Sequence, residues 1–423
     1  MFKKGFIPPH IGIKNEINKG FPDLEARNVR IAMAKTPLPP PKGQKRTVLV
    51  NNFSAAGGNT ALLIQEPPSV DRKEIDPRPS HAVTVSGHTV SALDNNIQRL
   101  VEHLSSNPDI LPGDLSYSTT ARRTHYRFRV TVAEPSTERI RVALETKREL
   151  GASKSQSTDK NDVIFVFTGQ GASYPALAQE LYATSTQFRA DISLFDGIAK
   201  QQGYTSFLPL VDGSVSDLTQ LSAIQTQVGL VAIQIALSRL WKSWGIIPTA
   251  VVGHSLGEYA ALQVSGVLSI SDAIFLAGHR ARLLEGRCRM YTHSMLAVSE
   301  AFAVLEPVLS GFPNIELACA NSPREAVFAG KREAIDDLER ELSSAHIRST
   351  KLQVPFAFHS AQVDPILDDL EGAAKAINMG PPQIPIISSL AGKPLGLDDR
   401  IDASYIRNHC RQTVQFSTAV QKA

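Results

Sequence analysis

Residues Gly253-His254-Ser255-Leu256-Gly257 set a serine between two glycines, directly after the apolar run Ala250-Val251-Val252 and before the helix-forming series Glu258 to Leu262. Strand, tight turn and helix in that order describe a nucleophile elbow. The glycines let the backbone turn sharply, and the serine hydroxyl arrives at a helix N-terminus whose free N–H groups can stabilise an oxyanion. Such a serine carries acyl groups as an ester. GxSxG also arises by chance, and a serine before a helix is often a plain N-cap, so the motif needs company. The first companion is a base, since a serine hydroxyl is a weak nucleophile until a histidine, itself held by a third group, takes its proton. Of eleven histidines, His359 in Val354-Pro-Phe-Ala-Phe-His-Ser360 is the best placed, ending an apolar, strand-like segment beside small and polar residues. Taken alone, a histidine there is more often one satisfied at a strand end.

The neighbouring segments must position that serine. Val163-Ile-Phe-Val-Phe is a continuous apolar run, as in a strand buried on both faces of a parallel sheet, and it ends in Thr168-Gly169-Gln170-Gly171. Ala223 to Trp244 reads as a long apolar helix closed by Gly245, a residue suited to the position after a helix, and Ile246-Ile247-Pro248 leads on to the elbow. This order predicts an α/β-hydrolase-like parallel sheet with its chemistry at the carboxyl ends of the strands. Residues 294–353 form a unit of their own: strands at Met295–Val298, Ile315–Ala320, Glu325–Ala329 and Ile347–Leu352, helices at Glu300–Leu309 and Arg332–Ser344. That βαββαβ order predicts a ferredoxin-like insertion, because the α/β pattern resumes at Ile384-Pro-Ile-Ile-Ser-Ser.

Upstream, residues 1–66 carry a proline loop at Ile7-Pro8-Pro9-His10 and two strand-like runs joined through Gly57-Gly58 as a hairpin. Residues 67–80 are a polar, proline-rich connector. Alternation at His81–Ser86 and Tyr126–Val132, with helical spacing at Ser91–Leu104 and Glu138–Leu150, predicts a small α/β linker module without convergent catalytic residue types. Gly151 to Asp162 is a second polar hinge. The expected segments are therefore 1–66, 67–162 and 163–423.

VFTGQGAS, VVGHSLGEYAAL, GHRARLLE and PFAFHS follow one another as they do in malonyl-CoA:acyl carrier protein acyltransferases, which the stretch from Val163 to Val420 resembles. IPPHIGIKNEIN and VNNFSAAGGNTALLIQE resemble the C-terminal end of a polyketide ketosynthase, in the form found in fungal iterative non-reducing polyketide synthases. The resemblance implies Ser255 as nucleophile and His359 as general base, with the backbone N–H groups of Gln170 and Leu256 as the oxyanion hole. It implies Arg280 as the clamp on the free carboxylate of malonate, a role that suits a planar fork and not a lysine. It implies His409 as the residue whose main-chain carbonyl orients the catalytic imidazole, and His254 and Glu258 as supports of the turn. Phe358 resembles the residue of malonyl-selective domains whose bulk excludes an α-methyl branch. The implied substrate is malonyl-CoA and the acceptor is the phosphopantetheine thiol of an acyl carrier protein, with no bound cofactor and no metal. Ketosynthase activity needs a cysteine nucleophile, and none precedes Cys288. Family members also continue with another strand and helices beyond the equivalent of Ala423. The chain is thus expected to be a fragment of a larger, homodimeric synthase.

Composition agrees with a globular chain: 423 residues, 42% hydrophobic and 20% charged, with a net charge of +3 that suggests no nucleic-acid partner. Cys288, Cys319 and Cys410 are scattered, which points away from disulfides or zinc and toward a reducing, cytoplasmic setting. No signal peptide or uninterrupted membrane-spanning run is present in the sequence. Two other readings share the elbow. A serine hydrolase or thioesterase would leave the Gln170 and Arg280 motifs without purpose, and an inactive scaffold would leave Ser255 unreactive.

Overall fold

The computed structural model describes residues 1–14, 16–67, 76, 78–151 and 162–423. The two polar connectors, 67–80 and 151–162, lie largely outside them. By internal contacts the chain divides into two units, Met1–Pro77 and Arg78–Ala423.

In the first unit Thr47–Phe53 pairs antiparallel with Asn59–Gln65, in register from Thr47 opposite Gln65 to Phe53 opposite Asn59. Gly57 takes a φ of +88° at the turn, a conformation that favours glycine. An Arg46–Glu66 ion pair closes the open end of this hairpin.

The second unit begins with the small α/β module. His81–Gly87 and Phe128–Glu134 form an antiparallel pair, and helices Val90–Ser106 and Thr137–Glu149 pack on it through Leu93, Ile97, Leu104, Ile140 and Leu144. Thr89 and Ser136 cap the two helices, their hydroxyls accepting from the N–H of Ala92 and Arg139. A third helix, Pro112–Thr120, was not expected from its sequence. Its PGDLSYSTT run has little apolar periodicity, and Leu115 is its one residue in the core.

The α/β body is built on a sheet in which the elbow strand Ala250–Gly253 lies between Ile164–Phe167 and Ile386–Ser388, parallel to both. Lys393–Leu395 adds antiparallel at one edge. The long helix Ala223–Ser243 opens with a capping box between Ser222 and Gln225 and ends before Gly245, at φ +82°. By length and composition this helix could cross a membrane, but 72% of its apolar window is buried within the protein. Its apolarity serves the core through residues such as Val228, Val231 and Ile235.

The insertion has the predicted order. Strands His293–Val298, Glu316–Ser322, Glu325–Lys331 and Ser349–Lys351 alternate with helices Phe302–Leu309 and Arg332–Ser344. In space the strands run second, third, first, fourth, all antiparallel to their neighbours, which is the ferredoxin-like arrangement. One local expectation changes. Val354–Ser360 is irregular, with Phe356 and Ala357 fully buried and His359 at φ +59°. The segment is apolar because it threads the core, not because it joins a ladder.

Candidate active site

The elbow is dictated by close approach. A Cβ on Gly253 would stand 2.3 Å from the Cα of Glu258, and one on Gly257 would stand 2.2 Å from the carbonyl oxygen of Phe167, so both positions demand glycine. Between them Ser255 is held at φ +51°, a left-handed conformation costing a non-glycine residue roughly 1–2 kcal/mol. Backbone hydrogen bonds lock it there: His254 N–H donates to Phe167 O at 2.8 Å, and Glu258 N–H to Ser255 O at 3.0 Å.

Ser255 Oγ lies 2.7 Å from His359 Nε2, and His359 Nδ1 lies 3.0 Å from the carbonyl oxygen of Gln412. A carbonyl only accepts, so Nδ1 bears the proton and Nε2 offers its lone pair to the serine. Burial holds His359 well below the ordinary histidine pKa, with the nearby His409, Arg280 and His254 acting in the same direction, so the imidazole is neutral at neutral pH.

The orienting carbonyl therefore belongs to Gln412 and not to His409. His409 sits inside the helix Ala403–Arg411, where carbonyls run along the axis. Gln412 is the first residue past that helix, at φ −81° and ψ 161°, and this extended geometry turns its carbonyl outward. The His409 ring is buried instead, stacked on Tyr405 at 6.3 Å and edge-on to His359 at 6.0 Å. Burial pushes its pKa down to about 3.

The N–H groups of Leu256 and Gln170 find no acceptor among the hydrogen bonds of the described residues. Gln170 starts the short turn Gln170–Ala172, and the loop before it is anchored by Gln234, whose Nε2 donates to Thr168 O at 2.8 Å. Arg280, on the helix Ile270–Arg287, is 3% exposed. Its Nη1 donates to Gln227 Oε1 at 3.0 Å, and its guanidinium lies 5.0 Å from the centre of the Phe358 ring. Gln227 Nε2 in turn donates to Gln170 Oε1 at 3.2 Å, which ties the arginine to the loop. No carboxylate pairs with Arg280 among the described residues. By contrast Arg282 donates to Gly203 O, and Arg287 pairs with Asp369 on an exposed face.

His254 meets Asn321 Oδ1 at 2.8 Å and thereby ties the elbow to the ferredoxin-like insertion. Glu258 is 1% exposed, and burial raises its carboxyl pKa to about 7 against the opposing hydrogen bond from Tyr405. A cleft of about 450 Å³ reaches His359 and is lined by Glu316, Leu317, Arg411, Gln412 and Thr413. The cysteines are free and buried, and desolvation raises the Cys319 thiol to about 12, so it is an inert core group.

Gln412, Gln227 and Asn321 were not anticipated. Gln227 was findable, because an amide in the middle of an apolar helix has to be satisfied by something. Gln412 and Asn321 carry no local signal.

A serine on a strained elbow, a buried neutral histidine aimed at it, and two N–H groups without an acceptor among the described residues form the arrangement that a serine nucleophile and its base require. Residues 164–423 match the acyl transferase domain family, and the chain belongs to it. Residues 81–144 match the CurL-like C-terminal region of polyketide synthases. Over 98% of its length the chain is 46% identical to the conidial pigment polyketide synthase PfmaE of Pestalotiopsis fici, of which it covers 19%. It is 44% identical over 100% of its length to the non-reducing polyketide synthase pks27 of Aspergillus flavus, of which it covers 21%. The chain thus spans about a fifth of the length of these curated relatives. Among solved structures, the acyl transferase domain of SpnD, in complex with 2-(pent-4-yn-1-yl)malonyl, aligns with a TM-score of 0.71 at 25% identity over 82% of each chain. That of ZmaA aligns with a TM-score of 0.71 at 26% identity, over 81% of this chain and 80% of the other.

Proposed function

We propose that the acyl transferase domain moves a malonyl group from coenzyme A to the phosphopantetheine thiol of an acyl carrier protein, through an ester on Ser255. The observation that carries this reading is Arg280, a buried guanidinium whose hydrogen-bonded neighbour is a neutral amide. Burying an unpaired cation costs several kcal/mol, so a site that keeps one is built for an incoming anion. A carboxylate on the acyl group fits that fork bidentately. The likeness to the SpnD domain, which was solved in complex with a substituted malonyl group, supports the same class of substrate.

In this reaction Ser255 Oγ attacks the thioester carbonyl while His359 Nε2 takes its proton, and the N–H groups of Leu256 and Gln170 receive the charge on the carbonyl oxygen. The coenzyme A thiolate leaves with the proton from His359. The carrier thiol then gives its proton to His359, attacks the seryl ester, and Ser255 is reprotonated as it departs. Phe358, 5% exposed against Arg280, narrows the space for an α-methyl branch. In this reading residues 1–66 belong to a ketosynthase, 67–162 to the linker, and the whole to a cytoplasmic, homodimeric synthase.

The test is intact-protein mass after brief mixing with malonyl-CoA. A malonyl increment on the parent chain, none on Ser255→Ala, and loss of the increment on adding carrier protein are expected. Release of free malonate without transfer would favour a hydrolase, and a folded chain that gains nothing would make it a scaffold.

A further inference from the structure

The catalytic pair depends on two points far apart in the chain: the elbow that presents Ser255 and the carbonyl of Gln412 that aims His359. Gln412 is carried by the end of the helix Ala403–Arg411, so its position follows that helix. Near the start of the same helix, Tyr405 Oη lies 2.5 Å from Glu258 Oε1 and 2.7 Å from Ser388 Oγ. Glu258 is in the first turn of the elbow helix, and Ser388 ends the strand next to the elbow strand. One hydroxyl therefore joins the helix that aims the base to both elements that hold the nucleophile.

The burial of this junction is near complete. Glu258 is 1% exposed and Ser388 is fully buried. Tyr405 donates its one hydroxyl proton to Glu258, so the Ser388 hydroxyl donates to Tyr405, while Ser388 Oγ accepts from the N–H of Ala391 at 3.0 Å. Glu258 makes no ion pair among the described residues, and its second oxygen makes no hydrogen bond of normal geometry there, although the Ser389 hydroxyl is a second polar group that favours its charged form. That oxygen lies against the elbow turn, 2.7 Å from where a Cβ on Gly253 would stand. The Tyr405 ring stacks on His409, which in turn meets His359 edge-on. The reaction above gives Glu258 no proton to move, yet a buried carboxyl whose one well-formed hydrogen bond is to Tyr405 is costly to keep.

We infer that Tyr405 is a positioning residue, braced by Glu258 and Ser388, which sets the helix bearing Gln412 at the distance from the elbow that lets His359 reach Ser255. The brace works as a hydrogen-bonded strut and needs no charge on Glu258. This inference rests on the acyl-transfer reading and deepens it.

The experiment is single-turnover acylation of Ser255 by malonyl-CoA, followed by rapid-quench mass measurement, which separates the rate from the fraction of chains that can react. Tyr405→Phe keeps the ring stacked on His409 and removes only the hydroxyl. Its acylation rate is expected to fall by between about 10-fold and 100-fold, the scale of a misplaced catalytic group, while the reactive fraction and the KM for malonyl-CoA stay at parent values. Glu258→Gln, whose amide oxygen still accepts from the tyrosine, is expected to restore a rate within about threefold of the parent, whereas Glu258→Leu matches Tyr405→Phe. A merely structural role would lower the reactive fraction and leave the rate alone. Parent-like acylation by Tyr405→Phe, or a Glu258→Gln as slow as Glu258→Leu, overturns the inference. Should Tyr405→Phe fail to fold, Ser388→Ala decides: slowed acylation at full reactive fraction supports the strut, and a parent rate rejects it. If the parent chain itself gains no malonyl group, the acyl-transfer reading fails, which is a different result from a parent that reacts and a Tyr405→Phe that reacts equally well.

Discussion

Replacing Arg280 by methionine separates activity from stability. The proposed clamp is two parallel charge-assisted hydrogen bonds to the malonyl carboxylate, each worth about 1.5 kcal/mol at the low end, so losing both costs about 3 kcal/mol. That corresponds to roughly 150-fold in kcat/KM for malonyl-CoA. Acetyl-CoA has no carboxylate and loses none of this, so the ratio of the two substrates should move by the same factor. Stability should behave differently. The guanidinium is 3% exposed, bonded to Gln227 and set against the Phe358 ring, with no carboxylate paired to it among the described residues. Methionine fills a similar volume and removes the burial cost of a lone cation, several kcal/mol, while leaving Gln227 Oε1 without a donor, about 1–2 kcal/mol. The melting temperature should therefore hold or rise. The assay is single-turnover acylation of Ser255 with each acyl-CoA, beside a thermal melt. Malonyl kcat/KM within threefold of the parent, or equal losses for malonyl and acetyl, would refute the clamp.

Four further outcomes follow from the same geometry. His359 acts as a base in its neutral form and is held well below the ordinary histidine pKa, so acylation should stay level from neutral pH down past the usual histidine range of about 6.5 and fall only in more acidic solution, in a stopped-flow pH profile. The sign for stability follows: below about 6.5 the unfolded chain binds protons that buried His359 and His409 refuse, so stability is present above that pH and is lost progressively as it falls, which acid titration of unfolding will show. Gly257→Ala forces a Cβ to 2.2 Å from Phe167 O, a clash with backbone that should destabilise the elbow by about 3 kcal/mol or more, measurable by denaturant titration. Phe358→Ser should relax discrimination against methylmalonyl-CoA by about 1–3 kcal/mol, read from competition between the two acyl-CoAs at Ser255.

Much of the fold was legible because its signals are local. The apolar run at 163–167, the capped helix from Ala223 and the βαββαβ alternation each follow from period and punctuation within a few tens of residues, and the observed strands fall within a residue or two of them. The helix Pro112–Thr120 was missed because tertiary packing of Leu115, and not periodicity, stabilises it. Val354–Ser360 was misread as strand-like because burial in an irregular segment selects the same apolar residues as a ladder does.

The turn at Gly253 and Ser255 is a property of the local sequence, since a Cβ on Gly253 would meet Glu258 five residues on and Ser255 takes its positive φ within the same turn, whereas Gly257 answers to Phe167 on the neighbouring strand. The histidine was singled out by the order of motifs that its segment shares with a known family, since by itself His359 carries no decisive signal. The tertiary structure alone decided which carbonyl aims it, because that depends on where a later helix stops and turns Gln412, 53 residues downstream, outward. It alone decided that Arg280 is left with a neutral partner, that Asn321 holds His254, and that Tyr405 spans 147 residues to Glu258. Each of these pairs joins elements distant in the chain through single polar atoms, and a single buried atom leaves no period or spacing by which a sequence could announce it.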